Sequence, residues 1–94
     1  MADTVQARVS YKGHVQGVGF RFTARRLAAG FDVAGYVRNE PDGSVTLVAE
    51  GERGEVEALI GAVARAMAPH IREQHVRWEP ATGEFQGFGV RHGW

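Results

Sequence analysis

The sequence is organised around the stretch Gly13-His14-Val15-Gln16-Gly17-Val18-Gly19-Phe20-Arg21. Glycine loses much conformational entropy on folding, so three glycines this close together predict a tight turn whose backbone lies against another group, such as a ligand. A helix is predicted to begin near Phe20, and the first N–H groups of a helix lack intrahelical partners and carry positive partial charge. Arg21 would be unfavourable at that end unless a negative ligand lay beside it. We therefore interpret the stretch as a phosphate-binding loop.

The residues on either side of this loop follow two different periods. Apolar side chains alternate with polar ones before the loop, which predicts a strand with one buried face. After the loop they recur with the spacing of one helical stripe. The first set is Val5, Ala7, Val9 and Tyr11, and the second is Phe20, Ala24, Leu27 and Ala28. The loop thus joins a strand to a helix N-terminus, the general geometry for binding an anion by main-chain N–H groups.

Two further strands are predicted over residues 33–39 and 44–50, separated by Glu40-Pro41-Asp42-Gly43. Proline fixes φ, aspartate can hydrogen-bond to nearby backbone, and glycine accepts positive φ, so this tetrapeptide favours a hairpin connection. The second and third strands are therefore expected to be antiparallel neighbours, with Asn39 at the end of the second.

A second helix follows and ends before Pro69. After it we expect a short fourth strand around residues 76–78, a loop over 80–83, and a last edge strand over 88–90 that could reach His92. The glycines of this C-terminal segment weaken a strand interior, so the register of the edge strand is left open. The apolar stripe of the second helix is formed by Val56, Leu59, Ile60, Val63, Ala64 and Met67.

The order of these elements is strand, helix, strand, strand, helix, strand. This order predicts an α+β, ferredoxin-like βαββαβ fold. Since crossovers between parallel strands are right-handed, both helices are expected on one face of a single antiparallel sheet. We expect one self-contained domain over residues 1–94, beginning at Met1.

Composition excludes several classes of function. Eleven Lys and Arg balance eleven Asp and Glu, so the formal net charge is zero and the basic surplus of a nucleic-acid binder is missing. The chain has no cysteine, which excludes disulfides and Cys-ligated metals. It has neither an apolar run approaching the roughly 20 residues of a membrane span nor a signal peptide pattern. A cytoplasmic monomer without nucleic-acid or membrane partners is the default expectation.

The loop does not match two common phosphate motifs. A Walker loop needs four residues between its glycines and then Gly-Lys-Ser/Thr, but three residues separate Gly13 from Gly17 and no lysine follows. A dinucleotide fingerprint starting at Gly17 and Gly19 would need glycine or alanine where Phe22 stands.

Three segments together resemble the acylphosphatase family. They are the run from Gly13 to Arg21, then Gly35-Tyr36-Val37-Arg38-Asn39, and then Asp42-Gly43-Ser44-Val45. They occur in the family's order and spacing, and the likeness extends from the first strand through the second helix, more loosely to the end. The resemblance implies hydrolysis of the mixed anhydride of acyl phosphates to a carboxylate and inorganic phosphate, with no metal or organic cofactor.

The resemblance also implies roles for particular residues. Arg21 would hold the phosphoryl group together with the loop amides, and Asn39 would position the attacking water. A free phosphate or sulfate anion would occupy the same loop. The main-chain N–H groups concerned are those of Val15, Gln16, Gly17, Val18, Gly19 and Phe20.

The chemistry suits these residue types. Phosphoryl transfer has a loose transition state with charge on three oxygens, so catalysis depends on positioning and fixed positive charge. Arg21 offers a planar fork of donors that matches two phosphate oxygens. Asn39 cannot be a general base at neutral pH, but its amide can both accept from and donate to a water. Because a carboxylate is a good leaving group, no strong general acid is required.

Other readings stay open at this stage. Gln16 is expected to shape the loop, Thr23 either touches the ligand or caps the helix, and His14 is expected to be exposed. A non-catalytic phosphate-binding module is the alternative function, since related domains occur inside a larger carbamoyl-transferring maturation protein. The physiological substrate also stays open, with carbamoyl phosphate and 1,3-bisphosphoglycerate among the candidates.

Overall fold

The computed structural model of the protein describes residues 3–92. Residues 1, 2, 93 and 94, which the predicted domain includes, lie outside this range. Within it the chain forms β1 (Thr4–Gly13), α1 (Phe20–Ala28), β2 (Val33–Asn39), β3 (Val45–Glu52), α2 (Arg53–Ala66), β4 (Ile71–Pro80) and β5 (Phe88–Arg91). A 3₁₀ turn over Ala68–His70 joins α2 to β4.

The strands form one sheet in the order β4-β1-β3-β2-β5. The first four strands pair antiparallel throughout, in the order expected of the ferredoxin-like fold, which confirms the predicted fold class. β5 adds a parallel pair at the edge beside β2, with Gly35 opposite Phe88 and Arg38 opposite Arg91. The sheet is therefore mixed, and its last strand ends one residue before His92.

Both helices pack on the same apolar core. From the sheet it takes alternate residues of β1 and β3, such as Val9 and Leu47, which are fully buried. From α1 it takes Phe20, Ala24 and Ala28, and α2 adds a stripe that contains Val56, Leu59, Ile60 and Val63. The apolar residues that the sequence predicted from strand alternation and from helical spacing therefore lie in one core between the helices and the sheet.

The fourth strand is longer than the sequence predicted. β4 has ten residues, beginning at Ile71, where only residues 76–78 were expected. It pairs with β1 from Val5, opposite Pro80, to Gly13, opposite Ile71. Its side chains at 72–77 are all exposed, so neither face has an apolar period to reveal the strand. Pairing with β1, not burial, defines it.

The connection between β4 and β5 (residues 81–87, the β4–β5 connection) is tied to the buried carboxylate of Glu50. One oxygen of Glu50 accepts from the Thr82 N–H at 2.7 Å and the Thr82 hydroxyl at 2.8 Å, and the other accepts from the Gly83 N–H at 3.0 Å. The Gln6 amide also donates to Glu50, at 2.7 Å. Burial alone would raise the pKa of Glu50, but these hydrogen bonds outweigh it and hold the pKa below its ordinary value.

Candidate active site

Gly13 fixes the point at which the chain leaves β1. Its φ is 134°, and a Cβ there would lie 2.5 Å from the carbonyl oxygen of His70 and 2.8 Å from the N of Arg72. The N–H of His14 donates to the same His70 carbonyl at 3.0 Å. Since no other residue fits this close approach, the entry to the loop is set by the start of β4.

The loop then passes twice through the left-handed region before α1 begins. Gly17 has φ 76° and Gly19 has φ 79°, a region that glycine enters without steric cost. Gly19 is the N-cap of α1 and has no side chain to offer, and the first turn contains no acidic residue. The positive end of the helix therefore lacks a compensating carboxylate from its own first turn. The N–H of Thr23 closes the first helical turn on the Gly19 carbonyl at 3.0 Å, which is an ordinary main-chain bond of a helix, and the role of the Thr23 side chain stays a prediction.

Two apolar side chains anchor the loop in the core. Val15 is fully buried and Phe20 is 2% exposed, with its ring 4.8 Å from that of Tyr11. The Tyr11 hydroxyl is buried without a hydrogen-bond partner among residues 3–92, and burial raises its pKa above the ordinary value. Tyr11 therefore stays neutral and acts as packing beneath the loop.

Gln16 ties the loop to the turn between β2 and β3. Its amide nitrogen donates to the carbonyl oxygens of Glu40 at 2.7 Å and Ser44 at 2.9 Å. The turn is closed in its own right, with the Glu40 N–H donating to Ser44 at 2.8 Å and Asp42 accepting from the Ser44 N–H at 2.9 Å. The predicted hairpin is confirmed, and this bridge brings the end of β2, where Asn39 lies, beside the loop.

Arg21 lies at the start of α1, and its guanidinium extends to the end of β5. Its Nη1 donates to the Arg91 carbonyl at 3.4 Å and lies 3.3 Å from Nδ1 of His92. Both contacts use Nη1, and a guanidinium carries five N–H donors in all. Residues from the far end of the described chain therefore help to orient the arginine that the sequence singled out.

The loop, Arg21 and Asn39 line one open pocket of about 370 Å³. Four of the six predicted loop residues line it, whereas Gln16 and Val18 do not. Among residues 3–92 no carboxylate lines the pocket, so the electrostatics of this described lining favour an anion. The residues of the described chain that line it are Val15, Gly17, Gly19, Phe20, Arg21, Phe22, Arg25, Asn39, Val90 and His92.

Sequence reasoning missed four of these residues. Phe22 and Arg25 follow Arg21 by one and four positions on α1, and a helical projection from Arg21 could have found Arg25, because residues four apart lie on one face. Val90 and His92 reach the pocket only through the parallel pairing of β5 with β2, for which the sequence has no local signal. His92 is exposed and lines the pocket.

The described part of the chain lacks two other kinds of feature. Residues 3–92 contain no group of three or more His, Asp or Glu side chains placed to hold a metal ion. No helix in this range has the length and apolarity to cross a membrane.

Comparison with known proteins identifies relatives over nearly the whole chain. A family model described as Acylphosphatase matches residues 7–90. A curated protein named acylphosphatase from Salinibacter ruber is 48% identical over 88 residues, covering 93% of this chain and 90% of that protein.

Solved structures give the same result. The crystal structure of acylphosphatase from Bacillus subtilis is 27% identical, with a TM-score of 0.84, and the match covers 94% of this chain and 99% of that one. Full-length HypF in its phosphate- and nucleotide-bound form is 28% identical with a TM-score of 0.80, covering 97% of this chain but 12% of HypF. The same domain thus occurs both alone and within a much longer chain.

Proposed function

Because this chain belongs to the acylphosphatase family, it hydrolyses the carboxyl–phosphate anhydride bond of acyl phosphates, and we propose that Arg21 and Asn39 are its catalytic residues. The products are a carboxylate and inorganic phosphate. The observation that carries the proposal is that Arg21 and Asn39, which are far apart in sequence, line one pocket together with the glycine-rich loop, and that no other side chain of residues 3–92 brings a carboxylate to it.

The phosphoryl group binds between the loop and Arg21. The main-chain N–H groups of residues 15–20 and the positive end of α1 supply fixed dipoles, which cost no reorganisation when charge develops on the phosphoryl oxygens. Arg21 adds a full charge and a fork of donors. Its contacts with Arg91 and His92 support this role, because they hold the guanidinium at the pocket instead of leaving it free in solvent.

Asn39 positions the attacking water. Asn39 is the last residue of β2 and lines the same pocket as the loop and Arg21. An amide that accepts from the water and donates to a neighbouring oxygen orients it for in-line attack, which lowers the entropic barrier. The leaving carboxylate needs no general acid, and the water's proton passes to the substrate's own phosphate.

Gln16 supports the site from outside the pocket. Its hydrogen bonds to Glu40 and Ser44 hold the loop against the turn that follows Asn39. This keeps the two halves of the site at a fixed separation, so Gln16 is a positioning residue.

The reaction is proposed to need no metal or organic cofactor, and the protein is proposed to act as a cytoplasmic monomer. Light scattering on the purified protein tests the monomer, and activity in EDTA tests the metal.

The roles are tested by assaying acetyl phosphate or benzoyl phosphate hydrolysis in EDTA. Arg21→Ala is expected to lower kcat/KM by about 10³-fold or more, since it removes the main charge opposite the phosphoryl group. Asn39→Ala is expected to lower kcat by about 10²-fold with a smaller effect on KM. Arg26→Gln is the matched control, because it removes an exposed arginine of the same helix that does not line the pocket.

Full activity in Asn39→Ala would overturn the water-positioning role. Equal losses in Arg21→Ala and Arg26→Gln would show that overall charge, not the position of Arg21, matters. Stabilisation by phosphate without any turnover would favour the non-catalytic binding module.

A further inference from the structure

The pocket extends along α1 beyond the residues used in the proposed chemistry. Phe22 and Arg25 line this extension, and neither has a role in holding the phosphoryl group or the water. Phe22 is 68% exposed, far more than the other large hydrophobic side chain exposed within residues 3–92, Val76 at 37%. An apolar ring on a pocket wall is surface that the carbon chain of a ligand can cover.

Arg25 is a second full positive charge in this pocket. Within the described residues its guanidinium makes no ion pair or hydrogen bond, whereas Arg38 pairs with Glu40 at 3.0 Å and Arg53 with Glu57 at 3.7 Å. Arg25 is the fourth residue after Arg21 in the helix, which places it on the same face and about 6 Å further along the axis.

A single phosphoryl group does not account for this second charge. Arg21 and the loop amides already match a phosphoryl dianion, and an acyl group such as acetyl has no charge to place beside Arg25. We infer that Arg25 is a specificity residue that binds an anionic group at the far end of the acyl chain. The inference rests on the proposed location of the phosphoryl group at Arg21.

The length of the chain can be bounded. The helix rises about 6 Å from Arg21 to Arg25. In a four-carbon acyl phosphate five bonds join the phosphorus to the terminal carbon, and at about 1.2 Å of advance per bond in an extended chain they span about the same length. Its methylene groups then lie beside Phe22. The preferred substrates are therefore acyl phosphates of short dicarboxylic or phosphorylated acids, in preference to uncharged acyl phosphates of equal length.

Arg25 also lies in the last turn of α1, where any cation interacts favourably with the helix dipole. Arg26 shares that position and is exposed, but does not line the pocket. It therefore provides a control that carries the same charge on the same turn.

The experiment compares succinyl phosphate with butyryl phosphate, which has a methyl group in place of the terminal carboxylate. The quantity measured is the ratio of the two kcat/KM values within one preparation, in which any difference in folded fraction cancels. The wild type should favour succinyl phosphate, and Arg25→Gln should lower the ratio about fivefold, the size expected of a partly solvated charge pair. Arg26→Gln should leave the ratio unchanged.

A third substrate, 3-phosphonopropionyl phosphate, carries a phosphonate at the same distance and separates the two kinds of terminal anion. A preference for either anion that Arg25→Gln lowers supports the inference. No wild-type preference, an unchanged ratio in Arg25→Gln, or an equal fall in Arg26→Gln each overturns it. Arg21→Ala separates the inference from the proposed function, since that variant should lose turnover of butyryl phosphate whatever Arg25 does.

Discussion

The glycine loop at residues 13–19 and the β4–β5 connection at 81–87 share one backbone feature and differ in their attachments. Each leaves the sheet without regular structure and contains two glycines whose φ lies near 75°. The φ angles are 76° and 79° at Gly17 and Gly19, and 73° and 72° at Gly83 and Gly87. Glycines with positive φ therefore do not by themselves distinguish the segment at the pocket from the other one.

The side chains that hold the two segments differ in kind. The glycine loop is held by the apolar residues Val15 and Phe20 and by the neutral amide of Gln16. The connection is held by one carboxylate, Glu50, and by the ring of Phe85, whose centroid lies 5.7 Å from that of Tyr36. The side chains that attach the loop carry no charge, whereas the attachment of the connection depends on the ionisation of a single residue.

The largest expected effect comes from the apolar anchor of the loop. Phe20→Ala should lower the free energy of unfolding by about 3–5 kcal/mol, because it empties a fully packed position beneath the loop. Phe85→Ala removes a half-buried ring and should cost about 1 kcal/mol. Urea titrations of both variants measure the difference, and equal losses would contradict the contrast between the two attachments.

The next effect concerns the carboxylate of the connection. Glu50→Gln should cost about 2 kcal/mol at pH 7, since it weakens hydrogen bonds to a buried charge, and should leave kcat unchanged. The folded-state pKa of Glu50 lies below its ordinary value of 4.5, so the stability that the carboxylate provides is complete above about that pH. It is lost as the pH falls through the folded pKa.

The stability difference between wild type and Glu50→Gln should therefore shrink between pH 7 and pH 3. Denaturant titrations at several pH values follow it. A constant difference over this range would mean that Glu50 acts through its shape and not its charge.

The smallest expected effect on stability comes from alanine at a glycine of the loop or of the connection, and activity then distinguishes the two segments. A Cβ at Gly19 or Gly83 meets no atom within 4 Å, so alanine at either position is penalised by its dihedral angles alone, about 1–2 kcal/mol. Only Gly19→Ala should also lower kcat/KM, by about tenfold, because it redirects the amides at the start of α1. Thermal unfolding and the acetyl phosphate assay test the pair, and an equal loss of activity in both would remove the distinction.

The sequence predicted best what short segments determine by themselves. The alternation before Gly13, the helical stripe from Phe20 and the tetrapeptide at 40–43 each depend on neighbours in sequence, and all three are confirmed. The fold class followed from the order of the elements. The roles of Arg21 and Asn39 came from the family resemblance and stay predictions, although both residues line one pocket.

The sequence could not predict what depends on distant pairing. β4 has no buried face to give it a period, and β5 reaches β2 only as a parallel partner. Two consequences followed from this. The contact of His92 with Arg21 was not foreseen, and neither was the attachment of the connection to Glu50, which requires residues 82 and 83 to return across the sheet.

The long fourth strand has a consequence for solubility. β4 is an edge of the sheet, paired on one side with β1, and an open strand edge is a template for association with other chains. A protein with a formal net charge of zero has little overall repulsion to keep molecules apart. Protection against association must therefore come from the side chains of the edge strand itself. Charges of both signs lie along β4, at Arg72, Glu73, Arg77 and Glu79. Replacing them with neutral residues would leave the pocket intact and make the protein prone to aggregate.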